Sequence, residues 1–215
     1  MGVRSGVVVC SLGGGYSRDM NIPALLDRLG GLSLDRLVTP PAPGAATVAD
    51  VVAAGKPACE LVEGTLIRRP PDFLTAVFLP HLLCSLMEHV RGPNLGLITN
   101  PVAPLEILPG TVRAPDLAFT PWSRLPGRRI PEEPVAAVVP ELVVNCVRPG
   151  NTPGEMARKR GEYFRAGVRL VWEFDPRTRT ARAYTSETSF TDLTEADTPD
   201  GAPVLPGFTL PLAQV

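Results

Sequence analysis

Two helices and a set of short strands emerge from the spacing of apolar and polar positions. Leu74, Val77, Phe78, Leu82, Leu83 and Leu86 recur at helical intervals after Asp72, a helix-capping residue, and predict a core helix running to about Val90. A second helix is predicted from Pro153 to Ala166. Thr152-Pro153-Gly154-Glu155 reads as a capping box with proline at the first helical position, and Gly167 is a natural stop. Val138 to Val147 is almost continuously apolar, as in a strand covered on both faces. Thr111 to Phe119 predicts a strand that Asp116 opens. Leu170 to Phe174 predicts another, ended by Asp175-Pro176, with Thr180 to Thr185 returning as a hairpin. Cys59 to Arg68 alternates around Glu63-Gly64 and predicts a hairpin or bent strand, and one or two strands follow between Asn94 and Ile107. Short helices are predicted at Asn21 to Leu29 and Thr47 to Ala54, an edge strand after Thr185, and an extended tail.

Polar side chains inside this apolar pattern are the candidates for chemistry. On the 153–166 helix Met156, Tyr163 and Phe164 define an apolar stripe, and Lys159 lies three after Met156 and four before Tyr163, which aims it at the sheet. Periodicity alone leaves two outcomes open: an inward ammonium, or a packed stem whose head snorkels to water. Lys56 and Lys159 are the only lysines in a chain otherwise rich in arginine, and guanidinium cannot replace a compact, tunable ammonium. Asp116 at a strand start and Asn145 at the end of a buried strand can converge on the same point.

Length and charge narrow the classes. The 215 residues suffice for one domain with a substantial core, and a net charge of −1 gives no global attraction to nucleic acid or anionic membrane. A polyanion would need a local patch. Arg124, Arg128, Arg129, Arg158, Arg160, Arg165 and Arg169 supply one candidate, with a solvated face as the simpler explanation. Cys10, Cys59, Cys84 and Cys146 lack zinc spacing and are expected to be reduced, buried thiols of a cytoplasmic protein. His81 and His89 fit packing or solvent exposure better than ligation. No segment is expected to span a membrane, Gly6 to Cys10 is too short for a signal-peptide core, and Gly13-Gly14-Gly15 lacks the lysine of a phosphate loop and reads as flexible.

Taken together, Cys-Glu-Leu-Val-Glu-Gly at 59–64, the run 112–119, Pro-Glu-Leu-Val-Val at 140–144, Asn-Thr-Pro at 151–153, Lys159 with Tyr163, Ala-Gly-Val at 166–168 and Val-Trp-Glu-Phe-Asp-Pro at 171–176 resemble the Uma-type restriction-endonuclease family of the PD-(D/E)XK nuclease superfamily. The resemblance runs from about residue 45 to the C-terminus. It implies an α/β (α+β) restriction-endonuclease-like core, a central mixed sheet flanked by helices, over residues 47–215, with 1–46 as an N-terminal extension. It also implies a metal-dependent endonuclease acting on DNA with Mg²⁺ or Mn²⁺, and it allows a homodimer. In that scheme Asp116 is a metal-binding aspartate, Lys159 the catalytic lysine and Glu60 an auxiliary catalytic acid.

Asn145 departs from that scheme, because it stands where the family's second metal-binding carboxylate is expected. Arg148-Pro149-Gly150 likewise replaces a serine-containing turn, and no histidine is evident near the start of the long helix. Asn145 can offer a metal a carbonyl oxygen but no charge, so metal affinity should fall. Glu141 cannot compensate, since four residues along a strand span about 13 Å. Two functions are therefore carried forward: a metal-dependent endonuclease with a weakened site, and an inactive nuclease-fold module that binds nucleic acid or a protein partner.

Overall fold

The computed structural model of the chain describes residues 21–55 and 59–214. Cys10, Lys56 and the Gly13–Gly15 run lie outside them. The strands divide into two sheets. The first contains, in spatial order, β1 (Leu37–Val38), β3 (Thr65–Arg68), β2 (Cys59–Val62), β6 (Thr111–Arg113) and β5 (Leu105–Leu108), all antiparallel. The second is the expected mixed sheet, in the order β11 (Phe190–Leu193), β10 (Thr180–Tyr184), β9 (Leu170–Asp175), β8 (Leu142–Cys146), β7 (Leu117–Pro121) and β4 (Gly96–Thr99). Within it β8 and β9 are parallel and are joined through helix α4 (Pro153–Ala166), a βαβ crossover. The remaining helices are α1 (Ile22–Arg28), α2 (Val48–Ala54) and α3 (Phe73–Arg91).

β8 is apolar on both faces because both are covered. Leu142, Val144 and Cys146 pack with Leu82, Leu86 and Val90 of α3, whereas Val143 joins Tyr163 of α4 and Val168 on the opposite side. α3 also departs from expectation at its solvent side, where Phe73, Leu74, Val77 and Met87 are exposed. By length and composition alone it is apolar enough to cross a membrane, contrary to the expectation that no segment would be. Cys59 and Cys146 are buried as expected, but Cys84 on α3 is exposed.

The start of α4 is tied to the N-terminal part of the chain. Leu25, Leu29 and Leu32 pack against Val62 and Ile67 of the first sheet, and Thr152 Oγ1 donates to the Gly30 carbonyl. Gly30 has φ +97°, and a Cβ there would lie 2.3 Å from the Glu155 nitrogen. Gly30→Ala therefore combines a left-handed backbone with a clash against backbone that cannot swing away. It is expected to cost about 2 kcal/mol, read as a lowered urea midpoint with an unchanged slope. Gly31→Ala makes the matched control, because the same positive φ there meets open space.

Candidate functional site

Helix α4 begins as its sequence dictates, with one exception that defines the site. Thr152 Oγ1 accepts from the Glu155 amide at 3.0 Å, but the reciprocal half of the expected capping box is not made. The Glu155 carboxylate instead accepts from Arg36 Nη1 and Nη2 at 2.7 and 2.8 Å and from Asn151 Nδ2 at 2.8 Å. Arg36 is a stronger partner than a backbone N–H because its planar fork delivers two charge-assisted bonds. Glu155, Lys159 and Glu162 then follow at i, i+4 and i+7, so all three face the sheets, and all three are buried.

These residues form part of one alternating file of charges. Arg28 meets Glu63 at 3.3 Å, Glu63 meets Arg158 at 2.8 Å, and Arg158 meets Glu162 at 2.9 Å. Arg113 then bridges Glu162 at 2.5 Å and Glu60 at 2.7 Å. Lys159 continues the file, 3.0 Å from Glu60 and 3.2 Å from Glu155, and Arg36 closes it. Lys159 is thus inward, at 5% exposure, and does not snorkel. Its ammonium is held between two carboxylates, Glu60 and Glu155, and forms no ion pair with Asp116. Burial raises the Glu60 carboxyl, but Lys159, Arg113 and Arg69 outweigh it and hold the group far below the usual carboxylate range.

Asp116 sits immediately before β7 and is fully buried. Its amide donates to Val144 O at 3.0 Å, and its Oδ2 accepts from the Cys146 amide at 2.7 Å. Oδ1 is taken by two guanidinium groups, Arg69 Nη2 at 2.5 Å and Arg148 Nη2. Burial pushes this carboxyl up, yet the two arginines more than compensate and keep it ionised and below its ordinary value. Leu117 pairs with Val144 at the end of the β7–β8 ladder, which brings Asp116 next to the Asn145 end of β8. Asn145 alternates with Val143 toward α4, where its amide lies beside the Tyr163 hydroxyl. Arg69 connects the halves of the site, since its charge acts on both Asp116 and Glu60.

Comparison with known proteins gives the family and the fold. A family model described as Uma2, putative restriction endonuclease, matches residues 48–213. The chain belongs to the Uma2 family. Among solved structures, it is similar to a putative nuclease belonging to DUF820 from Anabaena variabilis ATCC 29413, with a TM-score of 0.63 and 17% sequence identity. That match covers 74% of this chain and 89% of the other, a likeness of fold. No curated protein matches the chain.

Restriction-endonuclease-like proteins generally use divalent metals, and the donor set of this Uma2 chain would have to meet the needs of such an ion. Magnesium requires anionic or carbonyl oxygens with free lone pairs. Here both oxygens of Asp116 are already accepting, Glu60 is spent on Arg113 and Lys159, and Asn145 is neutral. Among the described residues no group of three or more His, Cys, Asp or Glu is placed to hold a metal. The resting site does not fit the ion.

Arg36, Arg69, Arg113, Glu155 and Glu162 are site residues that sequence reasoning missed. Glu155 and Glu162 carried a signal, since they share Lys159's helical face. The three arginines reach the site across 47 to 119 positions of sequence. Of the arginines that were singled out, Arg158 belongs to the charge file, and others serve separate internal contacts. Arg124 and Arg169 pair with Glu141, Arg160 pairs with Glu173 and lies over the Tyr184 ring, and Arg128 lies over Trp122.

Proposed function

We propose that this Uma2-family protein engages the phosphodiester backbone of DNA through its restriction-endonuclease-like fold without metal-dependent cleavage. The observation carrying this reading is the engagement of both Asp116 oxygens by Arg69, Arg148 and the Cys146 amide, beside a neutral Asn145. A carboxylate in that state has three of its roughly four acceptor positions filled, and two guanidinium groups beside it repel a cation. The family supports DNA as the partner.

Binding of a labelled duplex by the full chain in EDTA, measured by fluorescence anisotropy, is expected to weaken steeply with salt. Incubation with Mg²⁺ or Mn²⁺ is expected to give no cleavage that Asp116→Ala abolishes. The second reading, a metal-dependent endonuclease in which Asp116 and Asn145 hold the ion with Lys159 and Glu60 nearby, is favoured by the burial of Lys159 against Glu60. Cleavage by the wild type that is lost in Asp116→Ala would establish it and overturn the first.

A further inference from the structure

Most of the unspent hydrogen-bonding capacity around Asp116 is donor capacity. Asn145 Nδ2 and the Tyr163 hydroxyl lie beside each other, both buried and neither making a well-aligned hydrogen bond, with Asn145 only 6% exposed and Tyr163 not at all. Arg69 spends one N–H on Asp116. Arg148 spends one on Asp116 and another, at 3.3 Å, on the Cys146 carbonyl. Each guanidinium carries five N–H donors, so most of that capacity remains. Counting Asp116, Arg69 and Arg148, the local charge is positive by one. Arg69 and Arg148 side chains are 12% and 10% exposed, which leaves the rim of the site in contact with solvent.

A cation needs acceptors and negative charge, and an oxyanion needs donors and positive charge. We propose that this centre is an oxyanion site, taking one phosphate group through Arg69 and Arg148 with Asn145 Nδ2 and the Tyr163 hydroxyl as further donors. Orphaned buried donors are costly, so a ligand that satisfies them recovers part of that cost on binding. Planar guanidinium groups suit the geometry of a phosphate and can accept a second anion while keeping Asp116 as an orienting partner. The proposal rests on the reading that this site faces a phosphodiester backbone, but a free phosphate or another phosphate ester carries the same chemistry.

Thermal unfolding of the full chain in inorganic phosphate, at constant ionic strength against chloride, tests it. Wild type is expected to gain a few degrees, on the order of 2–4 °C, as phosphate passes its dissociation constant, and to gain nothing from Mn²⁺. Asn145→Ala removes a donor without altering charge, and Tyr163→Phe removes a hydroxyl without altering packing. Each is expected to remain folded and to weaken phosphate binding about tenfold, the loss of one hydrogen bond to a charged ligand. No response of wild type to phosphate, stabilisation by Mn²⁺ instead, or variants that respond like wild type would overturn the proposal. A phosphate response in a protein that does not bind duplex in the anisotropy assay would uphold the oxyanion site and overturn the DNA reading.

Discussion

Arg113→Met is expected to lower the stability of the protein by about 3–5 kcal/mol, the usual cost of removing one partner from a buried ion pair. Arg113 is 2% exposed and stands at the middle of the charge file, between Glu60 and Glu162. Burial alone would favour its neutral form, but the two carboxylates outweigh that and hold its pKa above the ordinary arginine value. Methionine fills a similar volume, so the loss reports charge more than cavity. Each carboxylate keeps one cation, Lys159 for Glu60 and Arg158 for Glu162, in a site that took two.

Two further variants separate this from a general intolerance of substitution. Arg113→Met combined with Glu162→Gln is expected to be less destabilised than the sum of the single changes, since the second removes the anion that the first leaves under-compensated. Arg182→Ala breaks an exposed pair with Asp192, the partners being 54% and 68% exposed, and is expected to change stability by less than about 1 kcal/mol. Urea unfolding of wild type, Arg113→Met, Glu162→Gln, their combination and Arg182→Ala measures both comparisons. A loss below about 1 kcal/mol for Arg113→Met would mean that the file is not a structural unit.

How much of this could be read from the chain depends on the range of each interaction. α4 runs from Pro153 to Ala166 as predicted because its cap, its first-turn proline and its terminal glycine are all local signals. The strands around it were likewise legible, since alternation and apolar runs need only neighbours in sequence. The inward aim of Lys159 followed from helical period alone. Its partners did not, because Glu60 lies 99 positions away and belongs to the other sheet. Arg113 lay inside the single stretch predicted over Thr111 to Phe119, which the structure breaks after Thr-Val-Arg, and nothing local distinguishes a buried arginine there from a solvated one. The division into two sheets was illegible for the same reason, as it depends on which edges meet. Arg148 was visible as a departure from the family's turn, but its bond to Asp116 is a fact of three dimensions.

Acid is expected to dismantle the same network from its carboxylate side. Burial raises Glu155, but Arg36, Lys159 and Asn151 more than offset it and leave its pKa at about 2, against an ordinary 4.5. A carboxyl lowered in the folded state contributes stability that is complete above its unfolded value and is lost as pH falls through its folded value. Glu155 therefore gives up its contribution, on the order of 3 kcal/mol, between about pH 4.5 and pH 2. Glu60 and Asp116 are lowered as well and add to the loss in the same direction. Glu173 acts oppositely: burial outweighs Arg160 and raises it, so its contribution is complete below 4.5 and declines as pH rises through its folded value. The lowered carboxyls, Glu63 of the same file among them, outweigh the one raised group and predict a urea midpoint that falls steeply below pH 4.5. Glu155→Gln, less stable at neutral pH, is expected to show a shallower acid limb than wild type. Parallel limbs for the two proteins would remove Glu155 from the account, and a wild-type midpoint flat from pH 7 to 3 would remove the network.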